Sequence, residues 1–353
     1  MRVDDFDFPL PEASIALRPA VPRDSSKLLQ VASDGAISDH IARDLPDLLR
    51  AGDVLVLNDT RVFPAHLIGQ RPAREMGGGG PASISFNLHK QVDARTWAAF
   101  ARPARRVRVG DIIHFSKSLE AQVSQRGEGG ETRLVFNLDG TDLLAAFGQI
   151  GAMPLPPYIG SKRQADARDE ADYQTIFAKD SGSVAAPTAG LHFTHDLLSA
   201  LGEIGVQVCH LTLHVGAGTF LPVKATDTQD HVMHGEWREI PEQTAKLINQ
   251  AKAEGRRVIA VGTTALRSLE SAALALGQVV ACAGETDIFI TPGYEFQIVD
   301  GLLTNFHLPK STLFMLVSAL CGLPEMQVAY AHAIRNEYRF YSYGDACLLW
   351  NAQ

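Results

Sequence analysis

The residues of this chain best suited to chemistry stand where strand-like runs end. Histidines border turns at His192 in TAGLHFT, at His210 and His214 around LTLHVG, at His231 and His234 just ahead of Glu236, and at His307 in NFHLPKST. An imidazole or a carboxylate at a strand end can move a proton or orient a hydroxyl, and spacing alone does not separate the two roles. The stretch 285–316 concentrates such groups. Residues 288–290 read as a short β-rich run and Pro292-Gly293 breaks it. A second run then ends at Thr304, before a loop that carries Asn305, His307 and Lys310 to a helix beginning near Leu313. Ser311 and Thr312 are capping types for that helix, and its free N–H groups beside Lys310 suit a phosphate or a carboxylate. Asn58-Asp59-Thr60-Arg61 puts another polar group at the tip of the strand 54–57.

Several familiar patterns are excluded. HLPKST lacks the glycines of a nucleotide P-loop, and Pro309 removes a backbone donor beside the lysine. Gly216-Ala217-Gly218 has no third glycine, so it is not a dinucleotide fingerprint. The pair His231 and His234 has metal-like spacing but no third ligand nearby, and the scattered Cys209, Cys282, Cys321 and Cys347 form no CxxC. No metal is expected, and the cysteines read as reduced core thiols.

The elements that must position these groups point to a mixed α/β protein. With 353 residues, 46% hydrophobic and 20% charged, the chain is long enough for two cores. Six short β-rich runs, at 62–68, 83–89, 95–101, 107–115, 119–125 and 132–138, predict a small barrel. From 183 onward strand and helix alternate: helix 195–203, strand 206–213, helix 242–254, strand 257–261, helix 265–275 and helix 325–336. A further helix is expected at 165–178. The join of strand 257–261 to Gly262-Thr263-Thr264 and a helix is what an α/β sheet uses to hold a ligand at the carboxyl ends of its strands. We therefore expect an α/β sandwich domain, 1–60 and 152–353, carrying an inserted β-barrel domain, 61–151. Residues 60–118 hold ten Lys/Arg against three Asp/Glu, a local +7 in a chain of net charge −8, which leaves −15 elsewhere. Arg102, Arg105 and Arg106, with Arg61, are candidate phosphate contacts on this basic lobe. The first residues, MRVDDFDFPLP, show no secretory pattern and no window approaches eighteen uninterrupted apolar residues, so a cytoplasmic protein is expected.

Taken together, VAAPTAGLHFT, LHVGAGTFLPV, VGTTALRSLES, TNFHLPKSTLFMLVSAL, YRFYSYGDA and NDTRVFPAHL strongly resemble the S-adenosylmethionine:tRNA ribosyltransferase-isomerase family of queuosine biosynthesis. The resemblance covers nearly the whole chain. Gly235, Arg238, Thr291 and Ala217 depart from the residues commoner in these motifs.

The resemblance implies an enzyme that transfers and isomerises the ribosyl part of S-adenosylmethionine onto 7-aminomethyl-7-deazaguanine at the tRNA wobble position. Epoxyqueuosine-tRNA, adenine and methionine are the products. It implies a β-barrel inserted in an α/β domain, S-adenosylmethionine as cosubstrate, no prosthetic group and tRNA as partner; no membrane association and a monomer are expected beside it. A base must take a proton beside the sulfonium, an acid must help adenine leave, and other groups must hold the substrates; His192, His214, Glu236, Asp287 and His307 are the candidates for proton transfer, without assignment between base and acid. Thr188, Gly190, Gly216, Gly218, Thr263, Thr264, Lys310, Ser311 and Thr312 are the candidate cosubstrate contacts. The alternatives are a tRNA methyltransferase, which should carry a glycine-rich loop after its first strand and does not, and a non-catalytic RNA-binding module.

Overall fold

Unbroken apolar runs build the central strands of the large sheet, and period-two alternation builds the barrel wall. The structure is a computed structural model that describes residues 1–75, 78–216, 223–274 and 277–352. Two compact units result: 1–61, 172–180 and 186–353 form the first, 62–171 and 181–185 the second.

In chain order, β1 (Lys27–Val31), β2 (Ile37–Ile41) and β3 (Val54–Asn58) open the first unit. The short β4 (Thr60–Val62) follows, then β5 (His66–Arg71), β6 (Ala82–Gln91), β7 (Thr96–Arg102), β8 (Ile112–His114), β9 (Glu120–Arg126) and β10 (Glu131–Phe136). β11 (Asp180–Ser183) pairs with β4 in a two-stranded sheet. The last strands are β12 (Gln207–Leu213), β13 (Glu236–Ile240), β14 (Val258–Val261), β15 (Cys282–Thr286), β16 (Gly301–Asn305) and β17 (Ala346–Trp350).

The first unit's sheet runs β15-β13-β12-β3-β14-β16-β17-β1-β2. Its centre, β12, β3, β14 and β16, is parallel, so four carboxyl ends share one edge. Both faces are covered. Val54, Val56, Val258, Ala260 and Leu302 face one core with the helices Glu242–Ala253, Thr263–Ser271, Thr312–Cys321 and Leu323–Arg335. Leu55, Leu57, Ile259, Val261 and Leu303 face the other, with the helix His195–Glu203. Strands buried on both sides read in sequence as short unbroken apolar runs, VLVL and VIAV. No single described helix is long and apolar enough to cross a membrane.

In the second unit β10-β7-β6-β5-β8-β9 close into a barrel. Ala82, Ile84, Phe86 and Leu88 are buried, while Ser83 is exposed and Ser85 and Asn87 are only partly covered, the alternation of a barrel wall. The helix Gly140–Ile150 packs Phe147 against Phe136 at 5.1 Å and Trp97 at 5.6 Å.

Three expectations need correction. Residues 165–178 form only one α-turn, Asp169–Asp172. The Asp169 carboxylate takes Arg163 at 2.6 and 2.8 Å and the Asp166 N–H at 2.8 Å, so side-chain bonding replaces the helical ladder. Residues 288–290 are not a strand: the Ile288 carbonyl accepts from Arg267 Nε at 3.2 Å, and the strand is β15, just before it. The second unit also extends past residue 151, because Ala152 exchanges both backbone hydrogen bonds with His66 of β5. β1, β2 and β17, which the sequence pattern does not mark, complete the sheet.

Candidate functional site

The carboxyl edge of β12, β3, β14 and β16 gathers side chains from well-separated segments. Asn58 ends β3 and is buried. Its Nδ2 donates to the Leu213 carbonyl at 3.0 Å and to Thr264 Oγ1 at 3.2 Å, and its Oδ1 accepts the N–H of Thr60 and of Leu213. One amide thus ties the ends of β3 and β12 to the start of the helix Thr263–Ser271. That helix leaves β14 through Gly262, whose φ of 90° favours glycine.

His214 follows β12. Thr60 Oγ1 holds its Nδ1 at 2.8 Å, and the ring stacks on Trp237 at 5.1 Å and 17°. Burial lowers its pKa from the ordinary imidazole value, with Asp180 and Asp59 acting in the opposite sense. The ring is half-buried, and among the described residues its Nε2 has no hydrogen-bond partner. Asp59 is buried, accepts from Thr212 Oγ1 at 2.7 Å, and is raised in pKa by that burial.

His192 closes the 3-10 turn Thr188–His192. Its Nδ1 lies 2.8 Å from Ser26 Oγ and its Nε2 3.2 Å from Asn305 Nδ2, while Thr188 Oγ1 donates to Asn305 Oδ1 at 2.8 Å. Desolvation pushes the ring down to about 4, so it is neutral near pH 7. Gly190, in the same turn, lies against Phe177 and Thr175.

Glu236 begins β13 and is buried. Its Oε1 accepts the Gly216 N–H at 3.0 Å, and its Oε2 pairs with Arg267 Nη1. Asp287 is exposed just beyond β15, next to the Ile288 carbonyl that Arg267 holds. These residues occupy the same edge.

The remaining candidates stand apart from it in character. His307 is 5% exposed, its Nε2 lies 3.2 Å from Thr304 Oγ1, and its N–H donates to Tyr330 Oη at 3.0 Å. Burial pushes it to about 3. That environment favours orientation over proton transfer. The Lys310 ammonium is met by Asp4 and Asp7, each at 3.0 Å, and Ser311 Oγ accepts the Phe314 N–H of its own helix. Those two partners belong to the chain itself, so the Lys310 charge is met within the protein. Gly218 lies outside the described residues.

Arg102, Arg105 and Arg106 are exposed on the barrel, around the 3-10 turn Ala104–Arg106. Among the described residues their guanidinium groups make no ion pair. Arg61 donates to the Ala178 carbonyl at 2.7 Å. No cluster of three or more His, Cys, Asp or Glu among the described residues is placed to hold a metal.

Sequence reasoning leaves Asn58, Asp59 and Arg267 unassigned. Asn58 and Asp59 are visible in NDTR at a strand tip. Arg267 gives no local signal, because its partner Glu236 lies 31 residues away.

A parallel sheet whose carboxyl edge is lined by interlocked polar groups, in a chain that also carries a closed barrel, defines a mixed α/β fold of the kind that binds ligands at its strand ends. The chain belongs to the queuosine biosynthesis protein family, whose model matches residues 3–349. It is 64% identical over 349 residues to the S-adenosylmethionine:tRNA ribosyltransferase-isomerase of Maricaulis maris (strain MCS10), covering 99% of each chain. To the protein of that name from Mesorhizobium japonicum it is 58% identical over 361 residues, covering 100% of this chain and 99% of the relative. A crystal structure of S-adenosylmethionine tRNA ribosyltransferase from Thermotoga maritima matches with a TM-score of 0.56 and 33% identity, over 98% of this chain and 99% of that one.

Proposed function

We propose that this protein is an S-adenosylmethionine:tRNA ribosyltransferase-isomerase that transfers the ribosyl group to 7-aminomethyl-7-deazaguanine of tRNA, working as a cytoplasmic monomer. The observation that supports this most directly is the convergence of Asn58, Thr60, Thr188, His192, His214, Thr264 and Asn305 on one sheet edge in a chain of this family. The half-buried Thr188, Thr264 and Gly216 offer hydroxyls and a backbone to a substrate, while buried neighbours fix their positions.

The chemistry needs a base near the sulfonium, which acidifies the adjoining ribose carbon. His214 is our choice. Its ring is held by Thr60 and Trp237, its lowered pKa keeps it neutral and able to accept a proton near pH 7, and Nε2 is open among the described residues. With that proton removed, adenine departs from one end of the sugar with its bonding pair and takes up a proton. The aminomethyl nitrogen, giving up a proton, bonds to the carbon adenine leaves, and the ring oxygen releases that carbon. The carbon beside the sulfonium closes onto it with the pair the base exposed, and the freed oxygen displaces methionine to close the epoxide. His192 acts by orienting Asn305 and Thr188, Glu236 by fixing Gly216, and Asp287 is the exposed carboxylate of the edge. The barrel's Arg102, Arg105 and Arg106 contact tRNA phosphates.

Incubation with S-adenosylmethionine and tRNA bearing the aminomethyl base tests the reading. Adenine and methionine should be released together. S-adenosylhomocysteine would instead indicate a methyltransferase, and no turnover with intact tRNA binding would indicate an RNA-binding module.

A further inference from the structure

Arg267 is buried in the first unit with part of its hydrogen-bonding capacity unused. It lies one turn into the helix Thr263–Ser271 and is 5% exposed. Nε donates to the Ile288 carbonyl and Nη1 to Glu236, yet Nη2 is shielded from solvent and has no acceptor among the described residues. The partner carboxylate does not supply one: its Oε2 takes Nη1 and its Oε1 the Gly216 N–H, and Nη2 reaches neither oxygen. A guanidinium carries five N–H donors in a rigid fork, and a buried donor without an acceptor is costly enough that native structures rarely leave one.

The surroundings say what would complete it. Glu236 and Gly216 tie Arg267 to the loop after β12, two residues from His214 and His214's contact with Thr60. The missing acceptor therefore belongs to the same edge as the candidate base. A water-shielded cation bonds best to an anionic oxygen. The carboxylate is the one anionic group of S-adenosylmethionine, and the end of an amino-acid chain is slender enough to reach a solvent-shielded donor, whereas a tRNA backbone phosphate is not.

We propose that Arg267 is the binding residue for the methionyl carboxylate of S-adenosylmethionine, an assignment that rests on the cosubstrate reading above. Binding then couples to Glu236 and Gly216, so seating the methionyl end also sets the loop that carries His214.

The test is calorimetric titration with S-adenosylmethionine and with its decarboxylated analogue. The wild type should prefer the carboxylated ligand by about tenfold to a hundredfold, the range of one charge-assisted hydrogen bond. Arg267→Lys keeps a cation for Glu236 but lacks the second arm of the fork, and should lose most of that preference with little change for the analogue. The double variant Arg267→Met, Glu236→Gln removes both buried charges together and should lose it entirely. An undiminished preference in both variants would overturn the proposal, as would an equal loss for both ligands, which would mark a merely structural arginine. Failure of the wild type to bind S-adenosylmethionine at all would overturn the cosubstrate reading along with it.

Discussion

Asn305 and His192, 113 residues apart in the chain, meet at 3.2 Å, the amide Nδ2 donating to the imidazole Nε2. Because Asn305 Oδ1 is taken by the Thr188 hydroxyl, the proton on the ring sits at Nδ1 and is donated to Ser26 Oγ. The end of β16, the Thr188–His192 turn and the start of β1 are thereby joined through one neutral ring.

A pH dependence follows. Above pH 6.5 His192 is neutral in both folded and unfolded chains. As pH falls below 6.5 the unfolded chain binds a proton that the folded one refuses, so stability drops until the folded ring also protonates at about 4. A shift of this size corresponds to about 3 kcal/mol. Urea midpoints measured from pH 7 to 4.5 should fall, and His192→Gln should flatten that fall. An equal slope in the variant would assign it to other groups.

Gly190 separates a packing role from a ligand role. A Cβ there would stand 2.7 Å from Phe177 Cζ and 2.9 Å from Thr175 Cγ2. Gly190→Ala should lower stability by about 1–3 kcal/mol through overpacking. Its affinity for S-adenosylmethionine, by titration, should stay within about twofold, since the crowding concerns the protein's own side chains. A large loss of affinity without loss of stability would return Gly190 to the ligand site.

How much of this is legible in the sequence depends on how local each signal is. The barrel is, because Ala82, Ile84, Phe86 and Leu88 alternate with more open positions. The central strands are as well, as short buried runs. β2 is not: ISDHI is an edge strand with Asp39 and Ser38 exposed, and its apolar pattern is thin. The one-turn region at 169–172 misleads because its composition favours helix while Asp169 is drawn to Arg163. Within the site, residue types at strand tips are readable. Their pairing is not, since Asn58 with Thr264 and Glu236 with Arg267 meet across 206 and 31 residues.

The basic lobe gives an ionic-strength prediction. Changing Arg102, Arg105 and Arg106 to Glu should weaken tRNA binding, and the slope of log affinity against log salt should fall by about one for every phosphate that is no longer neutralised. S-adenosylmethionine affinity should not change. Fluorescence titrations at several salt concentrations read this directly, and an unchanged slope would assign the arginines to solvent.

The last prediction concerns His214. If its Nε2 takes the proton beside the sulfonium, His214→Asn should cut turnover by roughly a hundredfold or more, the usual contribution of a general base. S-adenosylmethionine binding should weaken far less. Thr60→Val should give an intermediate loss, because it removes the hydroxyl at Nδ1 and frees the ring while leaving Nε2 chemically able to act. Since burial lowers the pKa of His214, the acid limb of kcat in the wild type should lie below the ordinary imidazole value of 6.5 and move toward it when Trp237→Ala opens the stacked face to water. Wild-type turnover in His214→Asn, or an acid limb that Trp237→Ala does not shift, would pass the role of base to another residue of the edge.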